Sequence, residues 1–232
     1  MKKYSSNANS ESADEKAFRM ILSKILKHEI QPGDPIYEPE LAESINLSRT
    51  PIRNALNRSI AEGLLEKKNG RKGYFVPSLS PQDMEEVFQA REAIEGQIAF
   101  NAALNATPED IAFLRSLNTD EEKEFIAGER LSYADVNERL HFRIAEMAGN
   151  RYLKRVFSSI YWRTQLYTFF LAGFYRWANT PANKTMNQMS YLEHTEIINA
   201  LEKADPQVAK EAMVSHIRST YTKRFFPTKG DG

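Results

Sequence analysis

The chain has 232 residues, of which 41% are hydrophobic and 27% are charged, and its formal net charge is zero. This length and composition suit two modest domains or one large domain with a real core. Cysteine is absent, so disulfides and thiolate metal sites are excluded, and any metal must be held by nitrogen and oxygen ligands. No segment approaches the roughly 18 apolar residues of a membrane span or resembles an export signal. We therefore expect a cytoplasmic protein with no membrane partner.

The N-terminal third begins with two short helices and a turn. Apolar residues at helical spacing predict a first helix that ends near Glu29 and a second over residues 38–45. A turn rich in Pro and Gly at residues 31–35 separates them. Ser48 is a good N-cap and Gly63 a stop signal, so a third helix is predicted between them.

The third helix and the segment after it carry most of the basic charge of this region. Between Ser48 and Pro77, Lys and Arg exceed Asp and Glu by five, and a polyanion is the natural partner. The polar face of the helix consists of Thr50, Arg53, Asn54, Asn57 and Arg58. Asn69-Gly70, between two apolar runs, predicts a two-residue hairpin turn with positive φ angles.

A short helix that fits the major groove, followed by a basic hairpin over the phosphates, is typical of a winged helix-turn-helix reader of duplex DNA. The alternative is an ordinary helix and hairpin with a solvated charged face. Net charge supports the first interpretation, because residues 1–78 carry +3 and residues 79–232 carry −3. The basic half is therefore expected to bind nucleic acid.

The remainder of the chain, after a short linker at residues 79–81, is predicted to be helical. The predicted helices are Pro81 to Asn105, Pro108 to Ile126, Ser132 to Ala148, Tyr152 to Phe174, Thr185 to Ala204 and Pro206 to Arg224. Short connections predict an antiparallel bundle, and the one long connection, residues 173–187, is placed to cover a cavity. The expected fold is mainly α: an N-terminal winged helix-turn-helix followed by an all-α antiparallel six-helix bundle.

Three of the four histidines fall in the bundle, each on a different predicted helix: His141, His194 and His216. Asn137 lies one helical turn before His141 and therefore on the same face. Three imidazoles and one oxygen can hold a borderline divalent metal and leave a position open. Spacing alone leaves the alternative of three unrelated, hydrogen-bonded histidines.

The N-terminal region resembles the DNA-binding domain of the GntR superfamily of bacterial regulators in the stretch PGDPIYEPELAESINLSRTPIRNALNRSIAEGLLEKKNGRKGYFV. The resemblance implies that two arginines of the third helix contact bases or nearby phosphates and that hydroxyls beside them contact the DNA backbone. The predicted DNA-binding residues are Ser48, Arg49, Thr50, Arg53, Asn54, Lys68, Gly70 and Arg71. Some relatives carry Arg where this chain has Pro39, which leaves the operator sequence open.

The bundle resembles the effector domain of the FadR subfamily, the FCD domain, in the stretches NERLHFRIAEMAGNRYL, LEHTEIINALEKADPQVAKEAM and VSHI. The resemblance implies a zinc or nickel ion bound by Asn137, His141, His194 and His216. Asn137 stands where many members have Asp, and an amide oxygen is the weaker ligand. Four neutral ligands would leave the ion its full +2 charge for an anionic effector. Six bundle helices indicate the VanR-type branch.

Two arginines of the bundle are candidates for binding the effector. Arg91 matches a recurrent family position on the first bundle helix, and Arg163 lies on the fourth. Either can hold a carboxylate as a bidentate fork. The alternative is a structural ion pair with Glu92, Glu95 or a neighbouring helix.

Together these features predict a ligand-responsive bacterial repressor, not an enzyme, that binds a palindromic operator as a homodimer and responds to a small organic acid. The competing function is a metal-dependent enzyme at the three-His site, although no acidic residue has the spacing of a general base beside the histidines. A third interpretation is a sequence-independent architectural DNA binder. The predicted regions are a disordered N-terminus (1–13), a winged helix-turn-helix domain (14–78), a helical effector-binding and dimerisation domain (79–226) and a C-terminal tail (227–232).

Overall fold

The structure is a computed structural model that describes residues 12–171 and 181–225. Within these ranges the elements are α1 (Ala13–Leu26), β1 (Pro35–Ile36), α2 (Glu38–Ile45), α3 (Arg49–Ala61), β2 (Tyr74–Phe75), α4 (Pro81–Asn105), α5 (Pro108–Ala127), α6 (Arg130–Met147), α7 (Arg151–Phe170), α8 (Pro181–Glu202) and α9 (Pro206–Phe225). The chain divides into two compact units, Met1–Ser78 and Leu79–Gly232. None of the helices described has the length and apolar character needed to cross a membrane.

The first unit is built on α3, against which α1 and α2 pack. α1 begins where the Ser12 hydroxyl accepts a hydrogen bond from the Glu15 backbone N–H (3.1 Å). α2 ends at Asn46, whose left-handed conformation, with a φ of 54°, turns the chain toward α3. Ile52 and Leu56 are fully buried on the apolar face of α3. The predicted helix-turn-helix is therefore present.

The wing is a small sheet in which β2 pairs with a different segment from the one predicted. β2 pairs antiparallel with β1, whose first residue, Pro35, belongs to the predicted turn at residues 31–35. The expected hairpin partner contributes one bridge, in which Glu66 and Phe75 exchange two backbone hydrogen bonds of 2.8 and 2.9 Å. Apolar runs alone predict which segments are extended, not which segments pair.

The tip of the wing also differs in detail from the predicted turn. The Arg71 backbone N–H donates to the Lys68 carbonyl (3.1 Å) across Asn69 and Gly70. Of these two central residues only Gly70 has a positive φ, 73°, whereas the predicted two-residue hairpin turn requires it at both. Glycine is needed at this one position of the turn.

The second unit is organised around α4, which packs against α6, α7, α8 and α9, while α5 packs against α6 and α8. The prediction of a winged helix-turn-helix followed by a helical bundle is confirmed. α4 has the predicted bounds, and α8 begins at Pro181, four residues earlier than expected. Of the predicted 173–187 connection, residues 173–180 lie outside the described residues, as do residues 1–11 and 226–232 of the predicted termini.

α4 and α9 approach closely at Gly96. A Cβ atom at this position would lie 2.8 Å from Val214 Cγ2 and 3.5 Å from Lys210 Cγ. Valine is branched at Cβ and has few rotamers into which it can retreat. The close approach therefore requires glycine here, although glycine lowers helix propensity by about 1 kcal/mol relative to alanine.

We predict that Gly96→Ala lowers the free energy of unfolding by about 1 kcal/mol, because overpacking by roughly 1–3 kcal/mol outweighs the gain in helix propensity. Urea unfolding of the variant and the wild type measures the difference. Adding Val214→Ala removes the methyl group that clashes and should recover the loss. A Gly96→Ala protein as stable as the wild type would contradict the close approach.

Candidate metal centre and nucleic-acid interface

Three histidines from three helices meet inside the second unit. His141 lies on α6, His194 on α8 and His216 on α9, and all three are buried. Ring nitrogens, one from each, lie within 4.8 Å of one another, and the Nε2 atoms of His194 and His216 are 3.3 Å apart. The structure thus brings together the three imidazoles that the sequence singled out.

Each imidazole is held from behind by a carboxylate on another helix. The three contacts join Nδ1 of His141 to Oε2 of Glu95 (2.6 Å), Nδ1 of His194 to Oε2 of Glu121 (2.6 Å) and Nδ1 of His216 to Oε2 of Glu193 (2.9 Å). An ionised carboxylate only accepts hydrogen bonds, so an imidazole held by one carries its proton on Nδ1. In that tautomer the Nε2 lone pair is free to bind a metal ion.

Two of the imidazoles are neutral at pH 7. Burial lowers the pKa of His141 to about 4, although Glu95 opposes this shift. Burial and the neighbouring His194 lower the pKa of His216 to about 3. Burial raises the pKa of Glu95, but Arg91 and His141 outweigh it and bring the pKa to about 2. A carboxylate behind a neutral imidazole is the arrangement that suits a metal ligand.

The donor set fits a divalent metal ion. The Nε2 atoms of His194 and His216 are 3.3 Å apart, a separation that suits either a hydrogen bond between them or a cation bound by both. Nε2 of His141 is buried and has no hydrogen-bond partner among the described residues. In a tetrahedral site with metal–nitrogen bonds of about 2.0–2.1 Å, neighbouring ligand nitrogens lie about 3.3–3.4 Å apart. Imidazole ligands suit zinc and nickel.

A cavity of about 20 Å³ lies beside His141 and His216, which is room for roughly one water-sized group. Its polar lining residues are Arg91, Tyr133, Asn137, Gln165, Thr168, Ser190 and Thr220. The Asn137 side-chain N–H donates to the Tyr161 hydroxyl (3.0 Å), which leaves the amide oxygen as the atom with which Asn137 can bind a metal.

The two predicted effector-binding arginines occupy different places. Arg91 is buried, lines the cavity and donates to Glu95, the residue that also holds His141. Arg163 does not line the cavity, and its guanidinium lies 2.7 Å from Asp83 near the start of α4. The position of Arg163 therefore supports the alternative of a structural ion pair, whereas Arg91 forms an ion pair and also faces the cavity.

The carboxylates behind the histidines were missed in the sequence. No acidic residue has suggestive spacing because each carboxylate lies on a different helix from the imidazole that it contacts. Glu193 even precedes His194 in the chain but contacts His216. One signal was available: Glu121 lies on the same helical face as the buried Leu117 and Phe125, and an acidic residue in an apolar stripe requires a partner.

The predicted DNA-contacting residues of α3 are exposed. Ser48, Arg49 and Thr50 lie at the helix N-terminus, and the Ser48 hydroxyl makes no capping hydrogen bond. The Arg53 side chain is 61% exposed and forms a fork with Glu38 through contacts of 3.1 and 3.3 Å. The start of α3 thus presents hydroxyl and guanidinium groups to a ligand.

Two polar residues of the same helix turn toward α1 instead. The Asn54 side-chain N–H donates to Asp14 (3.1 Å), although Asn54 stays exposed. Arg58 is paired with Glu15 and lies over the Phe18 ring, 3.8 Å from its centroid. Arg58 therefore stabilises the packing of α1 on α3 and does not belong to the predicted polar face.

The basic residues of the wing lie on its aromatic strand. Gly70 and Arg71 are exposed and Lys68 is half-buried, 3.4 Å from Glu66. The Arg71 guanidinium lies 4.8 Å from the centroid of the Phe75 ring and the Lys68 ammonium 5.3 Å from it, within the range of cation–π attraction. The Phe75 ring therefore keeps the charged groups of Lys68 and Arg71 close to the wing tip.

Comparison with known proteins identifies the family to which each of the two units is similar. Residues 13–76 match the gntR family of bacterial regulatory proteins, and residues 86–219 match the FCD domain. The chain is 30% identical to the Uxu operon transcriptional regulator of Escherichia coli (strain K12), over 86% of this chain and 82% of that protein. It is 29% identical to the Nta operon transcriptional regulator of Aminobacter aminovorans, over 84% and 87%. E. coli McbR/YncC has a similar fold, with a TM-score of 0.76 at 18% identity over 91% and 96% of the two chains.

We predict that the metal-free protein loses stability as the pH falls below about 6.5, the usual pKa of histidine in an unfolded chain. The folded-state pKa values of His141 and His216 are about 4 and about 3, so in this interval the unfolded state binds more protons. Their contribution is complete above pH 6.5 and declines until the folded-state values are reached. Urea unfolding with a chelator at about pH 7.5, 6 and 5 measures it.

The control for this prediction carries His141→Gln and His216→Gln together. Its free energy of unfolding should fall less over the same pH interval, because the two imidazoles that take up protons on unfolding are gone. Equal pH dependence in the control and the wild type would show that these histidines are not buried in neutral form.

Proposed function

Because the chain belongs to the GntR family of bacterial transcription regulators and carries an FCD domain, we propose that it is a repressor whose DNA affinity is set by a small carboxylate effector at or near a metal ion. The family is one of regulators, so the alternative of a metal-dependent enzyme is wrong. The observation that carries the proposal is the buried cluster of three imidazoles in the FCD domain, in which one ring nitrogen of each lies within 4.8 Å of the others.

In this proposal His141, His194, His216 and the amide oxygen of Asn137 hold zinc or nickel. When bound, the ion would supply an electrophilic centre for a carboxylate oxygen of the effector. Arg91, in the wall of the same cavity, is placed to pair with that carboxylate. The polar lining favours an anionic effector over an apolar one.

The size of the cavity connects effector binding to a change in conformation. A volume of about 20 Å³ holds roughly one water-sized group, so an organic acid enters only if the lining helices move apart. Such an acid binds the widened form more tightly than the closed form. This difference in affinity is what shifts the population and alters DNA binding.

On the DNA side, Arg49 and Arg53 are proposed to contact bases or nearby phosphates, and Ser48 and Thr50 the backbone. The fork between Arg53 and Glu38 is no obstacle, because an exposed ion pair contributes at most about 1 kcal/mol and a guanine edge offers an equivalent bidentate acceptor. Asn54 and the wing residues Lys68, Gly70 and Arg71 complete the proposed surface.

We propose a homodimer on a palindromic operator, with half-sites about one helical turn apart, because one short recognition helix makes too few base contacts for a unique genomic site. The dimer contact is placed in the helical domain, residues 79–226, and the protein acts in the cytoplasm with the DNA. Repression is the proposed sign, since a dimer that covers promoter DNA blocks transcription without any further contact.

The proposal predicts different losses for two substitutions. Arg53→Ala should weaken binding to an operator, selected from random duplexes by the wild type, by about 1–3 kcal/mol, with a smaller loss on random DNA. Lys68→Ala, on the wing, should weaken both by a similar factor, because a phosphate contact carries no sequence information. Gel-shift titrations with both DNAs at one salt concentration measure these losses.

Light scattering on the full-length protein measures its oligomeric state, and a dimer is expected.

Unchanged operator affinity in the Arg53→Ala protein would contradict the assignment of α3 as the recognition helix. A wild type that binds operator and random DNA equally tightly, with a steep salt dependence, would identify an architectural DNA binder instead.

A further inference from the structure

The three carboxylates behind the histidines are not equivalent. Glu95 is paired with Arg91, and the Glu193 side chain is 23% exposed and accepts a hydrogen bond from the Ser219 hydroxyl (2.6 Å). Glu121 is 0% exposed, and its Oε1 has no hydrogen-bond partner among the described residues. Among the described residues, Glu121 is therefore the one of these three carboxyl groups that has neither an arginine partner nor exposure to solvent.

Two arrangements can accommodate a buried carboxyl group at this position. In the first, Glu121 is a neutral acid that donates to Nδ1 of His194, and the Nε2–H of His194 donates to Nε2 of His216. In the second, Glu121 is ionised and accepts from Nδ1–H of His194, and a cation binds the Nε2 atoms. Only the second provides a partner for Nε2 of His141, which the described residues leave without one.

The second arrangement is also balanced in charge. In it, three carboxylates and one guanidinium behind the ligands leave two negative charges, which match a divalent cation. The ligands themselves add no charge, because Asn137 and the imidazoles are neutral. The negative charges behind the ligands would therefore offset the +2 charge that four neutral ligands alone would leave on the ion.

We propose that Glu121 is the counter-charge of the metal centre: from behind His194 it supplies the negative charge that a carboxylate at position 137 would supply directly, and it thereby sets the affinity for the divalent ion. Glu121 is a positioning residue, since it acts through His194 and touches neither ion nor effector. The inference rests on the metal site of the proposed function.

The test separates the charge of Glu121 from its hydrogen bond. Metal-stripped full-length protein is titrated with zinc and with nickel in competition with a chromophoric chelator. Glu121→Gln keeps an oxygen that accepts from Nδ1–H but loses the charge, and the affinity should fall by about 10–100-fold. Adding Asn137→Asp to that variant should return the affinity to within about threefold of the wild type, because the charge is restored beside the ion.

Glu193→Gln is the matched control. It removes a carboxylate from behind another imidazole, but water reaches this one, so the affinity should change by less than about threefold. The second control compares the effect of Asn137→Asp in two backgrounds. The substitution should raise the affinity for the metal less in the wild type than in the Glu121→Gln protein. Equal gains would show that the two positions do not share one role.

The outcomes distinguish this inference from the proposed function. A wild type that binds neither zinc nor nickel overturns the metal site itself. A wild type that binds metal, with a Glu121→Gln protein that binds it equally well, overturns the role of Glu121 and leaves the metal site intact.

A measurement on the wild type covers the case in which Glu121→Gln does not fold. Nitrogen NMR of the zinc-loaded, histidine-labelled protein should show His194 protonated at Nδ1 and metal-bound at Nε2. An unprotonated Nδ1 on His194 would identify Glu121 as the neutral hydrogen-bond donor and overturn the inference.

Discussion

Three contacts between imidazole Nδ1 atoms and carboxyl groups fix the orientation of the histidines inside the FCD domain. They also tie the bundle together, because Glu95 of α4 holds His141 of α6, Glu121 of α5 holds His194 of α8, and Glu193 of α8 holds His216 of α9. Five of the six bundle helices therefore meet at one point. A ligand that moves these imidazoles moves the helices that carry them.

This arrangement explains how a small ligand can act on a large domain. The site is buried and its cavity is small, so an organic acid cannot enter without displacing side chains that belong to several helices. Close-packed interiors respond to such displacement by rearranging and not by gradual deformation. α7 takes part through Tyr161, which accepts a hydrogen bond from Asn137, so the sixth helix is also connected to the site.

Much of the fold could be predicted from the sequence, because its signals are local. Capping residues mark the helix starts predicted at Pro81 and Pro108, where the hydroxyls of Ser80 and Thr107 each accept a backbone hydrogen bond from the first helical turn. The three histidines are conspicuous because each falls on a different predicted helix, but that they converge on one point was implied by the family resemblance and not by their spacing. Pairing of β1 with β2 was missed, since the turn residues beside β1 hide a two-residue strand.

The parts that were missed depend on contacts between distant residues. Arg58 was placed on the DNA-facing side of α3, but the acidic start of α1 draws it away, and nothing within α3 reveals that neighbour. The carboxylates that contact the three histidines are separated from their imidazoles by 46, 73 and 23 positions in the chain. Periodicity within one helix cannot show such pairs, although it does show that Glu121 lies on an apolar face.

The central claim is that the three imidazoles form a metal centre. The most direct test is a crystal structure of the full-length protein, purified without chelator, with anomalous diffraction recorded on both sides of the zinc and nickel absorption edges. We predict one anomalous peak per chain, about 2.0–2.1 Å from Nε2 of His141, His194 and His216. An anomalous map without a peak between these atoms, in protein supplied with either metal, would contradict the claim that the three imidazoles form a metal centre.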